Sequence, residues 1–131
     1  MNAEDILKGL MEEVIVKGNE IWTKFDSSKL KNIMKKLHDS GIQRVITISG
    51  VDVAEGIDVI YHMEHEGTVI NLRTTLPKEK PEIDTITGIF PGADLFEREL
   101  MEMLGVTVNG HPNPKRLFLA EQSPKNPLRR S

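Results

Sequence analysis

Glu97, Arg98, Glu99 and Glu102 crowd one short amphipathic segment, and His111, Lys115 and Arg116 follow soon after it. Carboxylates and cations at this density can do three kinds of work: acid–base chemistry, cation binding, or ion pairing that fixes one protein against another. Helical geometry, at about 100° per residue, separates them. Ala93, Phe96, Leu100, Met103 and Leu104 share one face, and Glu97 falls inside that apolar stripe. Arg98, Glu102 and Leu95 face the other way, with Glu99 on a flank. A carboxylate in an apolar stripe is costly unless it is paired or hydrogen-bonded. Glu97 therefore calls for a cation or several backbone N–H groups, and His111 and Arg116 are the candidates. That requirement favours a pinning interaction over catalysis. Arg98 and Glu102 have the spacing of an ordinary i, i+4 pair, and Arg98 is also placed to reach a neighbouring protein.

The other chemistry-bearing residues are scattered. His62 and His65 would point to opposite faces of a strand, a poor geometry for sharing a metal. Asp52, Glu55 and Asp58 could meet a hard cation or serve a hydrolase, but they lack the ligand density of a calcium loop; solvated loop carboxylates are the simpler expectation. No phosphate-cradling glycine loop and no nucleophile elbow is present. The chain has no cysteine, which excludes disulfides, iron–sulfur ligation by this chain and a thiol nucleophile. A single tryptophan and a single tyrosine argue against a base-stacking nucleic-acid platform.

Charge is unevenly spread. From Val106 onward, Lys115, Arg116, Lys125, Arg129 and Arg130 stand against Glu121, a net of +4; with a whole-chain charge of −3, the first 105 residues carry −7. An acidic body with a basic tail predicts that the tail meets an acidic surface on another protein. Apolar runs fall far short of the roughly 20 residues that cross a bilayer, and the acidic start is wrong for a signal peptide.

The elements that must position these residues follow from periodicity. Ile6, Leu7, Leu10, Met11, Val14 and Ile15 predict an amphipathic helix over 3–15, with Asn2 as cap and Asp5 completing a capping box. A short strand follows over 20–25. Asp26 or Ser27 caps a second helix carrying Leu30, Ile33, Met34 and Leu37, with lysines on its solvated face and Gly41 at its end. Strands over 45–51, 57–64 and 68–74 then predict an antiparallel meander. A third helix over 93–104 stops at Gly105, and prolines keep the rest of the chain extended. The expected fold is α+β: a two-layer sandwich in α-β-α-β-β-β order on a mixed or mostly antiparallel sheet, then a short helix. The expected organisation is one domain over 1–105 and a proline-rich tail over 106–131 that wraps a partner.

The order Phe90-Pro91-Gly92-Ala93-Asp94-Leu95-Phe96, Glu97-Arg98-Glu99, Gly105-Val106, Gly110-His111-Pro112 and Arg116 resembles the signature of the 30-kDa subunit family of respiratory complex I, the NADH:quinone oxidoreductase. Two departures stand out. Glu102 replaces the family's helix aspartate, and Asn113-Pro114-Lys115-Arg116 replaces its Asp-Leu-Arg-Arg. The sequence looks most like the compact members found in energy-converting, membrane-bound nickel–iron hydrogenases and related complexes.

The resemblance implies a role without a reaction of its own: a structural subunit in the cytoplasmic arm of a membrane-bound, ion-translocating oxidoreductase. It implies no cofactor, catalytic residue or metal site in this chain. The partners it implies are a large catalytic subunit and a small iron–sulfur subunit, which carry the iron–sulfur clusters and, in hydrogenases, a nickel–iron centre. It implies no nucleic acid, and membrane contact only through the complex. The interface would use Glu97, Arg98, Glu99, Glu102, His111, Lys115 and Arg116. The reading from another class is a stand-alone α+β module binding a small ligand or an acidic protein.

Overall fold

The computed structural model describes residues 7, 11 and 13–112. Five strands form one mixed sheet in the order β1-β2-β5-β4-β3. β1 (Glu13–Lys17) and β2 (Glu20–Lys24) make an antiparallel hairpin about a two-residue Gly18-Asn19 turn. β3 (Val45–Val53), β4 (Gly56–His65) and β5 (Thr68–Leu76) form the expected antiparallel meander. β2 lies parallel to β5, which makes the sheet mixed. α1 (Leu30–Asp39) follows a 3-10 turn that Asp26 caps by accepting from the Ser28 N–H at 2.9 Å.

The inner face of the sheet and both helices share one core. Leu30, Ile33, Met34 and Leu37 of α1 are buried with Ile57, Val59, Tyr61, Met63, Ile70 and Leu72. Each fully buried aliphatic side chain contributes about 1.5–3 kcal/mol relative to exposure. The α1 lysines lie on the solvated side, as expected.

After β5 the chain makes a small second sheet, in which β6 (Glu82–Asp84) runs parallel to β7 (Thr107–Asn109). Between them runs α2 (Asp94–Leu104), ended by Gly105 in the left-handed conformation at φ 71°. Gly105 suits that position because a Cβ there would clash with the following carbonyl. α2 packs on β3, where Gly50 faces Leu100 and Leu104. Val106 and Val108 belong to the common core.

One expected element is corrected. Val14 and Ile15 belong to strand β1, not to the end of a helix. Val14-Ile15-Val16 is β-branched throughout, which suits an extended backbone, and Gly18-Asn19 folds it back onto β2. Leu7 is helical and buried. The expected Asn2 cap and Asp5 box, Ile6 and Leu10 lie outside the described residues, as do Lys115, Arg116 and the rest of the tail after Pro112. No helix among the described residues is long and apolar enough to cross a membrane.

Candidate functional site

Glu97 sits on the first turns of α2 with 1% of its surface exposed. The loop after β6 supplies its partners. Its Oε2 accepts from the Ile86 N–H at 2.8 Å, and Oε1 accepts from the Thr85 hydroxyl at 2.5 Å. His111, just past β7, brings Nε2 to 4.0 Å from Glu97 Oε1 and 2.9 Å from Asp94 Oδ1. The same nitrogen is 3.2 Å from the Asp94 carbonyl oxygen. The cluster thus ties three segments together: the loop after β6, the N-terminal part of α2, and the Gly110-His111 turn. Of the two expected partners of Glu97, the structure brings His111 to it; Arg116 lies outside the described residues.

Burial pushes the Glu97 carboxyl above its ordinary value, while the Thr85 and Ile86 hydrogen bonds and the nearby His111 pull it back. The folded chain therefore holds this proton to higher pH than the unfolded chain does. Between the two values the folded state binds more protons, so stability falls as pH rises from the ordinary carboxylate range through the raised value. Urea unfolding from about pH 4 to about pH 8 is expected to show that loss. Glu97→Gln, which has no proton to release, is expected to flatten the slope. Parallel slopes for the two proteins would contradict the assignment.

Glu102 is a correction. It is 3% exposed and does not face solvent opposite the apolar stripe. By angle it lies between Arg98 and Leu95, so spacing along the helix gives no sign that it is covered. Leu95 is 47% exposed, Glu99 is exposed and Arg98 is half-buried. These three share an i, i+3, i+4 outward face. Arg98 Nε is buried and has no hydrogen-bond partner among the described residues.

The remaining candidates are drawn apart. Glu55 is exposed in the turn as expected, and Asp58 lies in the expected strand; Asp52 lies in β3 rather than in a loop, and Asp52 and Asp58 are both largely buried, which corrects the expectation of solvated carboxylates for these two. Cross-strand partners show them on opposite faces: Asp52 pairs with Ile57, and Asp58 with Val51. Asp52 meets Lys78 at 2.9 Å, while Asp58 accepts from the Thr75 hydroxyl and lies 3.8 Å from Arg73. Among the described residues no group of three histidines and carboxylates is arranged to hold a metal ion. A concavity of about 660 Å³ lies elsewhere, beside Arg44, Glu64 and His65.

One constellation was not anticipated. Ser49 Oγ is 2.9 Å from His62 Nε2, and His62 Nδ1 is 2.6 Å from Asn71 Oδ1. Asn71 Nδ2 donates to the Ile21 carbonyl at 3.3 Å, so its Oδ1 accepts from His62 Nδ1–H and Nε2 accepts from the Ser49 hydroxyl. The order nucleophile, imidazole, amide has the look of a hydrolytic triad. The surroundings do not suit one. Ser49 sits mid-strand, with no turn or helix N-terminus there to aim paired N–H groups at an oxyanion, and neither the cavity beside Arg44 nor the one beside Trp22 is lined by these residues. It works as a polar ladder across β3, β4, β5 and β2. The signal in sequence was the outward register of His62 and Asn71, whose opposition depends on strand pairing.

Comparison with known proteins agrees with the signature in this region. Residues 23–131 match the family model described as respiratory-chain NADH dehydrogenase, 30 Kd subunit. The chain is 33% identical over 96 residues to an NADH-quinone oxidoreductase subunit of Phenylobacterium zucineum, covering 70% of this chain and 46% of that one. It is 29% identical over 131 residues to a membrane-bound hydrogenase beta subunit of Pyrococcus furiosus, covering 89% of this chain and 75% of that one. The chain thus spans less than half of the first relative. Its fold resembles that of a protein in the structure of the membrane-bound sulfane sulfur reductase, an archaeal respiratory membrane complex. The TM-score is 0.84 at 23% identity, covering 96% of this chain and 80% of that one. With its charged α2, its Gly-His-Pro turn and a family match running through most of its length, the chain belongs to the 30-kDa subunit family of the respiratory-chain NADH dehydrogenase.

Proposed function

We propose that this chain is a non-catalytic assembly subunit of the cytoplasmic arm of a membrane-bound, ion-translocating oxidoreductase, of the hydrogenase or complex I-like kind. It docks on the catalytic large subunit and touches a small iron–sulfur subunit; the redox centres belong to those partners. The membrane is reached only through the complex.

The observation that carries the reading is Arg98. A half-buried guanidinium whose Nε lacks a hydrogen-bond partner among the described residues stands beside the exposed Leu95 and Glu99. An incompletely satisfied arginine next to an apolar anchor is the composition of an interface hot spot. A partner carboxylate would complete it. The absence of cysteine from the chain, and of an apt catalytic cluster among the described residues, supports a structural role. The basic tail would add a second contact, to an acidic surface of the partner.

Size separation of a native membrane extract tests the proposal. The chain is expected to travel with a large assembly rather than near its own 14.8 kDa. Migration as a free chain, with a large subunit present elsewhere in the extract, would overturn it.

A further inference from the structure

β1 is an edge strand of the five-stranded sheet among the described residues, and it is not blunted. It has no proline and no bulge, and Ile15 and Val16 are 43% and 47% exposed. The direction of its backbone groups can be read from its neighbours. The Asn19 carbonyl accepts from Val69 N–H, and Phe25 N–H donates to the Arg73 carbonyl, so the odd-numbered residues of β2 face β5. Glu20, Trp22 and Lys24 therefore face β1 and bond to Lys17, Ile15 and Glu13. That leaves the N–H and C=O groups of Val14 and Val16 aimed at the open side.

The sequence along that edge is Glu13-Val14-Ile15-Val16-Lys17. It reads as its own complement when reversed. Antiparallel pairing centred on Ile15 sets Glu13 opposite the partner's Lys17, Val14 opposite the partner's Val16, and Ile15 opposite the partner's Ile15. The two Val14–Val16 pairs become the hydrogen-bonded pairs and use all four outward backbone groups on each strand. The Ile15 pair falls at the non-hydrogen-bonded position, where side chains approach most closely. Charges match at both ends.

We propose that this edge pairs with a second copy of the chain, joining two five-stranded sheets across a two-fold axis. An isologous contact needs a self-complementary patch, and this strand is one. The edge lies four strand spacings from β3, about 19 Å, and α2 packs on the β3 side. Pairing through β1 therefore leaves the outward face of α2 open, and two docked assemblies could be joined through this subunit.

The test is the mass of the full chain in solution across a concentration series. It is expected to move from one chain mass toward two as concentration rises. Glu13→Lys alone, or Lys17→Glu alone, sets like charges opposite at both ends and is expected to weaken the dimer about tenfold or more. The double exchange Glu13→Lys with Lys17→Glu restores the match and is expected to restore the dimer. Circular dichroism checks that each variant is folded. Amide exchange gives a second readout: Val14 and Val16 become protected with concentration, while Ile15, already bonded to Trp22, does not change. A protein that stays monomeric, single variants that dimerise like the parent, or a double exchange that fails to recover would each overturn the proposal. None of these outcomes bears on docking through α2, which is read separately in the extract.

Discussion

Replacing Glu97 by alanine is expected to remove about 3 kcal/mol of folding stability, among the larger effects a single side chain can have here. Glu97 is fully buried, so the truncation leaves a cavity and strips the Ile86 N–H of its acceptor. An unsatisfied buried donor alone costs about 1–3 kcal/mol. The Thr85 hydroxyl retains contact with Thr87 at 2.9 Å, which softens the loss on that side. His111 loses one of the two carboxylates near its ring. Glu97→Gln keeps an acceptor for Ile86 and should cost about 1 kcal/mol, near the net worth of one hydrogen bond. Urea midpoints measure both; similar midpoints for the alanine variant and the parent would show that the cluster does not hold the turn.

The second large effect is expected at Gly50. A Cβ built there would lie inside van der Waals contact of Leu104 Cδ1 and 2.7 Å from Leu100 Cδ2. Both leucines are buried in the core and have little room to withdraw. Gly50→Val therefore lifts α2 from β3 and is expected to cost about 3 kcal/mol, at the upper end of overpacking penalties. Leu104→Ala costs about 2–5 kcal/mol by opening a cavity. Combined, the two should cost clearly less than their sum, because the valine fills the space that the leucine vacates. Additive losses would mean that the close approach of α2 to β3 is not what excludes a side chain at Gly50.

Much of this architecture was legible from periodicity. Leu30, Ile33, Met34 and Leu37 repeat at helical spacing and are all buried. Ile57, Val59, Tyr61 and Met63 alternate and line the inner face. Glu97 was legible as a carboxylate in need of partners, and His111 as one of them. The remaining partners were not, since Thr85 and Ile86 approach from a loop that no local pattern ties to α2. Glu102 was misplaced because angle gives a residue's position around the helix and not what covers it. Val14 and Ile15 fit a helical stripe by spacing, but they sit in a β-branched run beside a tight turn, and pairing with β2 decided the matter. The Ser49–His62–Asn71 ladder depends on register across three strands.

On the proposed function, the outward face of α2 is where the large subunit would dock. The most direct test is a pull-down of the native complex through this protein, comparing the parent with Arg98→Glu and with Leu95→Asp. Leu95 is exposed and Arg98 half-buried, so urea unfolding of each isolated variant can establish that it remains folded. Either folded variant is expected to lose most of the large subunit, as truncating an interface hot spot costs about 2 kcal/mol or more. Full recovery of the large subunit with both folded variants would contradict it.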